Sequence, residues 1–138
     1  MRLFLDASVL LAAAGSSRGA SRALFTHSSA QGWALVSSPF ALNEVLRNLP
    51  KLPTVATAEW LRLRPHVKVV DDVVSMDRPV IFAASKDRPI LFSALAWADV
   101  LLTLDKGDFG DLLGGAFYGL AVLLPYDFFK RERAAGRL

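Results

Sequence analysis

Val100-Leu101-Leu102-Thr103-Leu104-Asp105 is a branched apolar run closed by a carboxylate. Arg2-Leu3-Phe4-Leu5-Asp6 has the same form, and Ala34-Leu35-Val36 ends on Ser37-Ser38. These runs are continuously apolar rather than alternating, so each reads as a strand covered on both faces. Residues 67–70 and 80–84 are further short runs of this kind, and residues 120–124 form the last. Helical stretches separate them. Residues 9–14 follow Asp6, which is placed to cap them. Residues 20–31 are ended by Gly32. Pro39 opens residues 40–49 at a first helical position, with Leu42, Val45, Leu46 and Leu49 as the buried stripe and Pro50 as the stop. Pro53 opens a helix to about Leu63, with Val55, Trp60 and Leu61 apolar. Residues 89–98 and 127–135 complete the set. Strands alternating with helices predict an α/β domain of three layers, α/β/α, around a mainly parallel sheet.

The chain has 138 residues, 53% of them hydrophobic, which supports one domain (residues 1–138) with a true core and excludes a disordered chain. It has no Cys, which removes disulfides, thiolate zinc sites and thiol nucleophiles together. No segment reaches the apolar length of a membrane-spanning helix. Asp6 interrupts the apolar N-terminal stretch, which argues against a secretion signal and for a cytoplasmic protein. The formal charge is +3. Lys130, Arg131, Arg133 and Arg137 face only Glu132 in residues 130–138, so the excess lies in that C-terminal basic tail and the rest is formally neutral. The charge alone therefore does not describe a basic domain surface.

Three acids fall where a parallel sheet collects its functional groups, at the carboxyl ends of strands: Asp6, Asp87 and Asp105. Glu44 lies on the helix after the second strand and can lean in from the side. Carboxylates converging without His or Cys make a hard, all-oxygen site suited to Mg²⁺ or Mn²⁺. Each acid also has a plainer reading. Asp6 and Asp87 serve as helix caps, Asp105 as a turn residue, and Glu44 as a solvated residue away from its helix stripe. Asp108 and Asp111 read as loop surface. Ser8 and Thr103 lie close to Asp6 and Asp105, where their hydroxyls orient those carboxylates or satisfy local backbone. His27 and His66 have no partner at ligand spacing, and Trp33, Trp60 and Trp97 read as packing residues.

These motifs together resemble the PIN domain family. Leu5-Asp6-Ala7-Ser8-Val9-Leu10 resembles its opening strand motif, and Ser37-Ser38-Pro39 with Asn43-Glu44-Val45 its second. Lys86-Asp87-Arg88-Pro89-Ile90-Leu91, then Ala98-Asp99-Val100-Leu101-Leu102-Thr103-Leu104-Asp105, then Asp108-Phe109-Gly110, resembles the block common in bacterial VapC-type toxins. The resemblance spans nearly the whole chain and is weakest over residues 50–80. It implies a PIN-like α/β/α fold and Mg²⁺- or Mn²⁺-dependent endoribonuclease activity, as the toxin of a toxin–antitoxin pair. Asp6, Glu44, Asp87 and Asp105 match the family's acidic quartet, the catalytic and metal-holding set. Asp108 falls where some members carry a further acid and others His; Asp99 reads as structural. The partners implied are RNA, an antitoxin protein and a second copy in a homodimer, for which the pairs Phe117/Tyr118 and Phe128/Phe129 are interface candidates. No membrane partner is implied.

Two other classes remain open at this point. A catalytically silent PIN-fold module that binds RNA or protein is favoured by loss of an acid, and all four are present. An aspartyl phosphatase wants a second acid two residues after Asp6, and Ser8 holds that place.

Overall fold

A computed structural model describes residues 1–77 and 85–138. The chain runs β1 (Arg2–Leu5), α1 (Ala7–Gly15), α2 (Ala20–Gln31), β2 (Ala34–Ser37), α3 (Pro39–Asn48), α4 (Val55–Leu63), β3 (Lys68–Val69), α5 (Arg88–Trp97), β4 (Val100–Leu102), β5 (Ala116–Phe117), β6 (Leu120–Leu123) and α6 (Pro125–Ala134). Single helical turns occur at Leu49–Lys51, Arg64–His66 and Ser85–Asp87. The apolar run expected over residues 80–84 lies outside the described residues.

The sheet order is β3-β2-β1-β4-β6-β5. Every pairing is parallel except β5 with β6. The sheet therefore winds outward in two directions from β1 and β4, which lie side by side with Phe4 opposite Leu101. That reversal is the point where an open α/β sheet leaves a crevice beyond its strand ends.

Alternation along each strand sorts the core into two layers. Leu3, Leu5, Leu35, Val100, Leu102 and Leu123 face one way, against α1, α2, α4 and α6. Phe4, Val36, Leu101, Leu120 and Val122 face the other, against α5 and the segment around Phe109. This is the expected three-layer α/β/α arrangement. Gly32 ends α2 at φ 69, a left-handed cap that glycine adopts without steric cost. Pro39, Pro89 and Pro125 each sit in a first helical turn, where the missing N–H costs no hydrogen bond.

Several side-chain expectations are corrected. Leu46, assigned to the buried stripe of α3, is 59% exposed, and Ala41, Leu42, Val45 and Leu49 form the packed edge instead. Val55 and Leu61 on α4 are 60% and 68% exposed; Ala56, Trp60 and Leu63 are the buried residues. Both helices pack along a narrower stripe than their apolar content suggests. Of the proposed interface pairs, Phe117, Phe128 and Phe129 are buried in this chain's own core. Trp33 meets Phe128 and Phe129 edge-on, at 5.0 and 5.8 Å between ring centroids. Lys130, Arg131 and Arg133 belong to α6. Beyond it Arg137 reaches back to the buried Glu132.

Candidate metal centre

The site lies beyond the carboxyl ends of β1 and β4. Asp6 is the first residue past β1, and its backbone N–H donates to the Leu102 carbonyl at 3.1 Å. It is the N-cap of α1 and is nearly fully buried. Its Oδ1 accepts from the Ala7 N–H at 2.8 Å; its Oδ2 accepts from Thr103 Oγ1 at 2.8 Å and Ser8 Oγ at 3.0 Å. The same hydroxyls reach the other strand end: Thr103 Oγ1 accepts from the Asp105 N–H at 3.1 Å, and Ser8 Oγ from the Leu104 N–H at 3.0 Å. Capping and site-building are thus combined in one side chain, and Ser8 and Thr103 tie the ends of β1 and β4 together.

Residues 105–110 form a tight turn. Asp105 Oδ1 accepts from the Asp108 N–H at 2.9 Å, and the Asp105 carbonyl from the Phe109 N–H at 3.1 Å. Phe109 is 1% exposed and anchors the turn in the core, burial worth about 2–3 kcal/mol. A Cβ at Gly110 would lie 2.3 Å from the Lys106 carbonyl oxygen, so only glycine fits the turn as built. The turn brings Asp108 back beside Asp105.

Asp87 occupies the N-cap position of α5 but makes no side-chain capping bond. It is 8% exposed, and its Oδ2 is buried with no hydrogen-bond partner among the described residues. Asp87, Asp105 and Asp108 each offer a carboxylate oxygen, and these oxygens lie within 4.8 Å of one another. The three form a group able to hold a metal ion. Asp108 was expected on the loop surface. It joins the cluster because residues three apart in a tight turn face the same way. The spacing Asp-x-x-Asp before a buried Phe was the available signal.

Like charges and burial dominate the electrostatics. Burial pushes the Asp87 carboxyl up to about 8, helped by its hydrogen bond with Asp108 and by repulsion from Asp108, Asp6 and Glu44. Asp108 moves down, chiefly because its hydrogen bond with Asp87 favours its charged form. Its Oδ2 also lies 3.4 Å from Lys86 Nζ, a solvent-exposed pair. Burial raises the Asp6 carboxyl against its three hydrogen bonds. Burial also raises Glu44, reinforced by Asp6 and Asp105 and opposed by Arg47 and Lys86. Glu44 is half-buried on α3 and stands in the field of the other acids, outside the close trio.

This donor set fits a hard divalent cation. All donors are carboxylate oxygens, one buried oxygen lacks a partner among the described residues, and the charges repel unless a cation or a proton offsets them.

The two-way sheet, with the carboxylate cluster at its reversal, is a three-layer α/β/α domain. No protein-family model matches the chain, and no curated protein matches it. Among the solved structures that match is a chain of the crystal structure of VapBC2 from Rickettsia felis bound to a DNA fragment from their promoter, with a TM-score of 0.61. The match covers 88% of this chain and 97% of that one at 14% identity, a likeness of fold. Among the described residues, no helix is long and apolar enough to cross a membrane.

Proposed function

We propose that this chain is a Mg²⁺- or Mn²⁺-dependent endoribonuclease, the toxin of a toxin–antitoxin pair acting in the cytoplasm. The observation that carries the reading is the trio Asp87, Asp105 and Asp108, with a buried, unpartnered oxygen on Asp87. The fold likeness to a VapBC2 chain supports the toxin role and an antitoxin protein as partner.

Asp87, Asp105 and Asp108 would hold the ion. Asp6, fixed by Ser8, Thr103 and the Ala7 N–H, presents its charge to the same crevice and completes the set. When bound, the ion offsets the repulsion among the acids, makes a nearby water more acidic and stabilises charge on a phosphodiester under attack. Glu44, raised by burial and by Asp6, is the group to orient the attacking water and accept its proton. Water adds to phosphorus in line, and the ribose oxygen on the opposite side departs with the displaced electron pair.

The test is cleavage of single-stranded RNA with Mg²⁺ or Mn²⁺, with chelator, and in Asp6→Asn. Cleavage that needs the metal and fails in the variant supports the reading. Metal-independent cleavage or full activity in Asp6→Asn overturns it. RNA binding with no cleavage under any divalent ion leaves the silent binding module.

A further inference from the structure

The chain's positive charge has a specific place in the fold. Tyr126, Lys130 and Arg133 lie at positions i, i+4 and i+7 of α6, one face of the helix, and all three are exposed. Tyr126 is 62% exposed, unusual for a large aromatic in a chain whose other Tyr and Trp rings are more covered. The Lys130 ammonium sits 5.6 Å from its ring centroid. One turn on, the Arg133 guanidinium lies 5.9 Å from the Phe129 ring centroid. Among the described residues, no carboxylate forms an ion pair with Lys130 or Arg133. Asp127, in the first turn, is half-buried. The other exposed cations nearby are engaged: Arg131 donates to the Gly114 carbonyl at 2.8 Å, and Arg137 pairs with Glu132.

The stripe begins on the same rim of the sheet as the carboxylate cluster. Leu102 is in register with Leu123, and the Thr103 N–H donates to the Leu123 carbonyl at 3.1 Å. Asp105 and Tyr126 each stand three residues beyond that paired position, at the carboxyl ends of neighbouring parallel strands. From there α6 leads away from the rim, and Tyr126 to Arg133 spans about 10 Å along it.

We propose that this face of α6 is a track for single-stranded RNA, with Tyr126 stacking on a base and Lys130 and Arg133 taking successive phosphates. An exposed ring backed by unpaired cations at one-turn spacing is the chemistry that holds a single strand without reading its sequence. A folded protein surface would leave those cations without the regular row of anions that a strand supplies. The inference rests on the ribonuclease reading for its choice of RNA and adds where the strand runs outside the reacting crevice.

The test is the affinity of a labelled, unstructured oligoribonucleotide for the intact chain in chelator, so that no strand is cut, across a series of salt concentrations. Tyr126→Ala is expected to weaken binding roughly tenfold and Tyr126→Trp to restore it. Lys130→Gln and Arg133→Gln are each expected to flatten the slope of log affinity against log salt by about 0.7. Unchanged thermal melting in the variants separates loss of contact from loss of fold. Absence of binding by the parent overturns the inference, as does a Tyr126→Ala effect under twofold with unchanged salt slopes. Metal-dependent cleavage by the parent is scored separately. Stripe-dependent binding without cleavage keeps the track and removes the ribonuclease reading; cleavage with stripe-independent binding does the reverse.

Discussion

Asp99 and Asp105 stand at opposite ends of β4 and show two ways of using one side chain. At the amino end, Asp99 accepts from the Arg2 backbone N–H at 2.7 Å and fixes the start of β1 against β4. Its environment supplies a donor. At the carboxyl end, Asp105 shares a crevice with Asp87, Asp108, Asp6 and Glu44, and Lys86, which pairs with Asp108, is largely in solvent. One backbone donor, the Asp108 N–H, meets Asp105 Oδ1, but the rest of its surroundings add negative charge. A fold tolerates the second arrangement only where it supports function, since like charges in a partly buried space oppose folding. The contrast separates an acid that braces two strands from one set among other acids, without reference to any relative.

The sharpest way to break that contrast is to neutralise each acid in turn. Asp105→Asn is expected to lower metal-dependent RNA cleavage by at least about a hundredfold, since it removes a donor from the cluster. Asp99→Asn is expected to leave cleavage within about twofold and lower the melting temperature by a few degrees, through one weakened hydrogen bond. Equal loss of activity in both would erase the distinction between the two ends. A second experiment attacks the turn rather than the charge. Gly110→Ala places a methyl against the Lys106 carbonyl and is expected to cost about 2–3 kcal/mol in denaturant unfolding while displacing Asp105 and Asp108. Unchanged stability and metal affinity would show that the turn yields freely.

A further prediction concerns pH, in the metal-free chain. The Asp87 carboxyl is raised to about 8, so the folded state holds a proton that the unfolded state has released above its usual value near 4. The stability this gives is fully present below about pH 4 and is lost as pH rises through about 8. Melting curves of the parent and Asp87→Asn should therefore diverge across that window, with the parent losing stability relative to the variant towards high pH. Parallel curves would show that Asp87 ionises normally.

Much of the frame was legible because it depends on local chemistry. The continuous apolar runs at residues 2–5, 34–36 and 100–102 could be strands only inside a covered sheet, and Gly32, Pro39 and Pro89 punctuate helices by their own geometry. What the sequence hid depends on neighbours. Leu46 and Leu61 satisfy a helical wheel, but the wheel does not know where the sheet ends. Phe128 and Phe129 read as an interface pair because they are adjacent and apolar near the chain's end. Both are buried since Trp33 fills the space between them and the sheet. Asp108 was hidden by the opposite error, a loop residue pulled inward by Phe109. Asp6 and Asp105 lie beyond the carboxyl ends of β1 and β4, as the strand-end rule expects, whereas the run expected before Asp87 lies outside the described residues. The geometry adds Asp108 to Asp87 and Asp105, and leaves Glu44 outside that close trio but within their electrostatic field.

The bond from Thr103 to Asp6 joins residues 97 positions apart. It is among the last contacts a growing chain can make, because closing so long a loop costs entropy that only the neighbouring strands can offset. During synthesis the N-terminal half can form β1, α1, α2 and β2 with Asp6 in place and still lack the far side of the crevice. The crevice is thereby incomplete until the late strands dock beside the first, so no part of the chain short of both holds the whole carboxylate cluster.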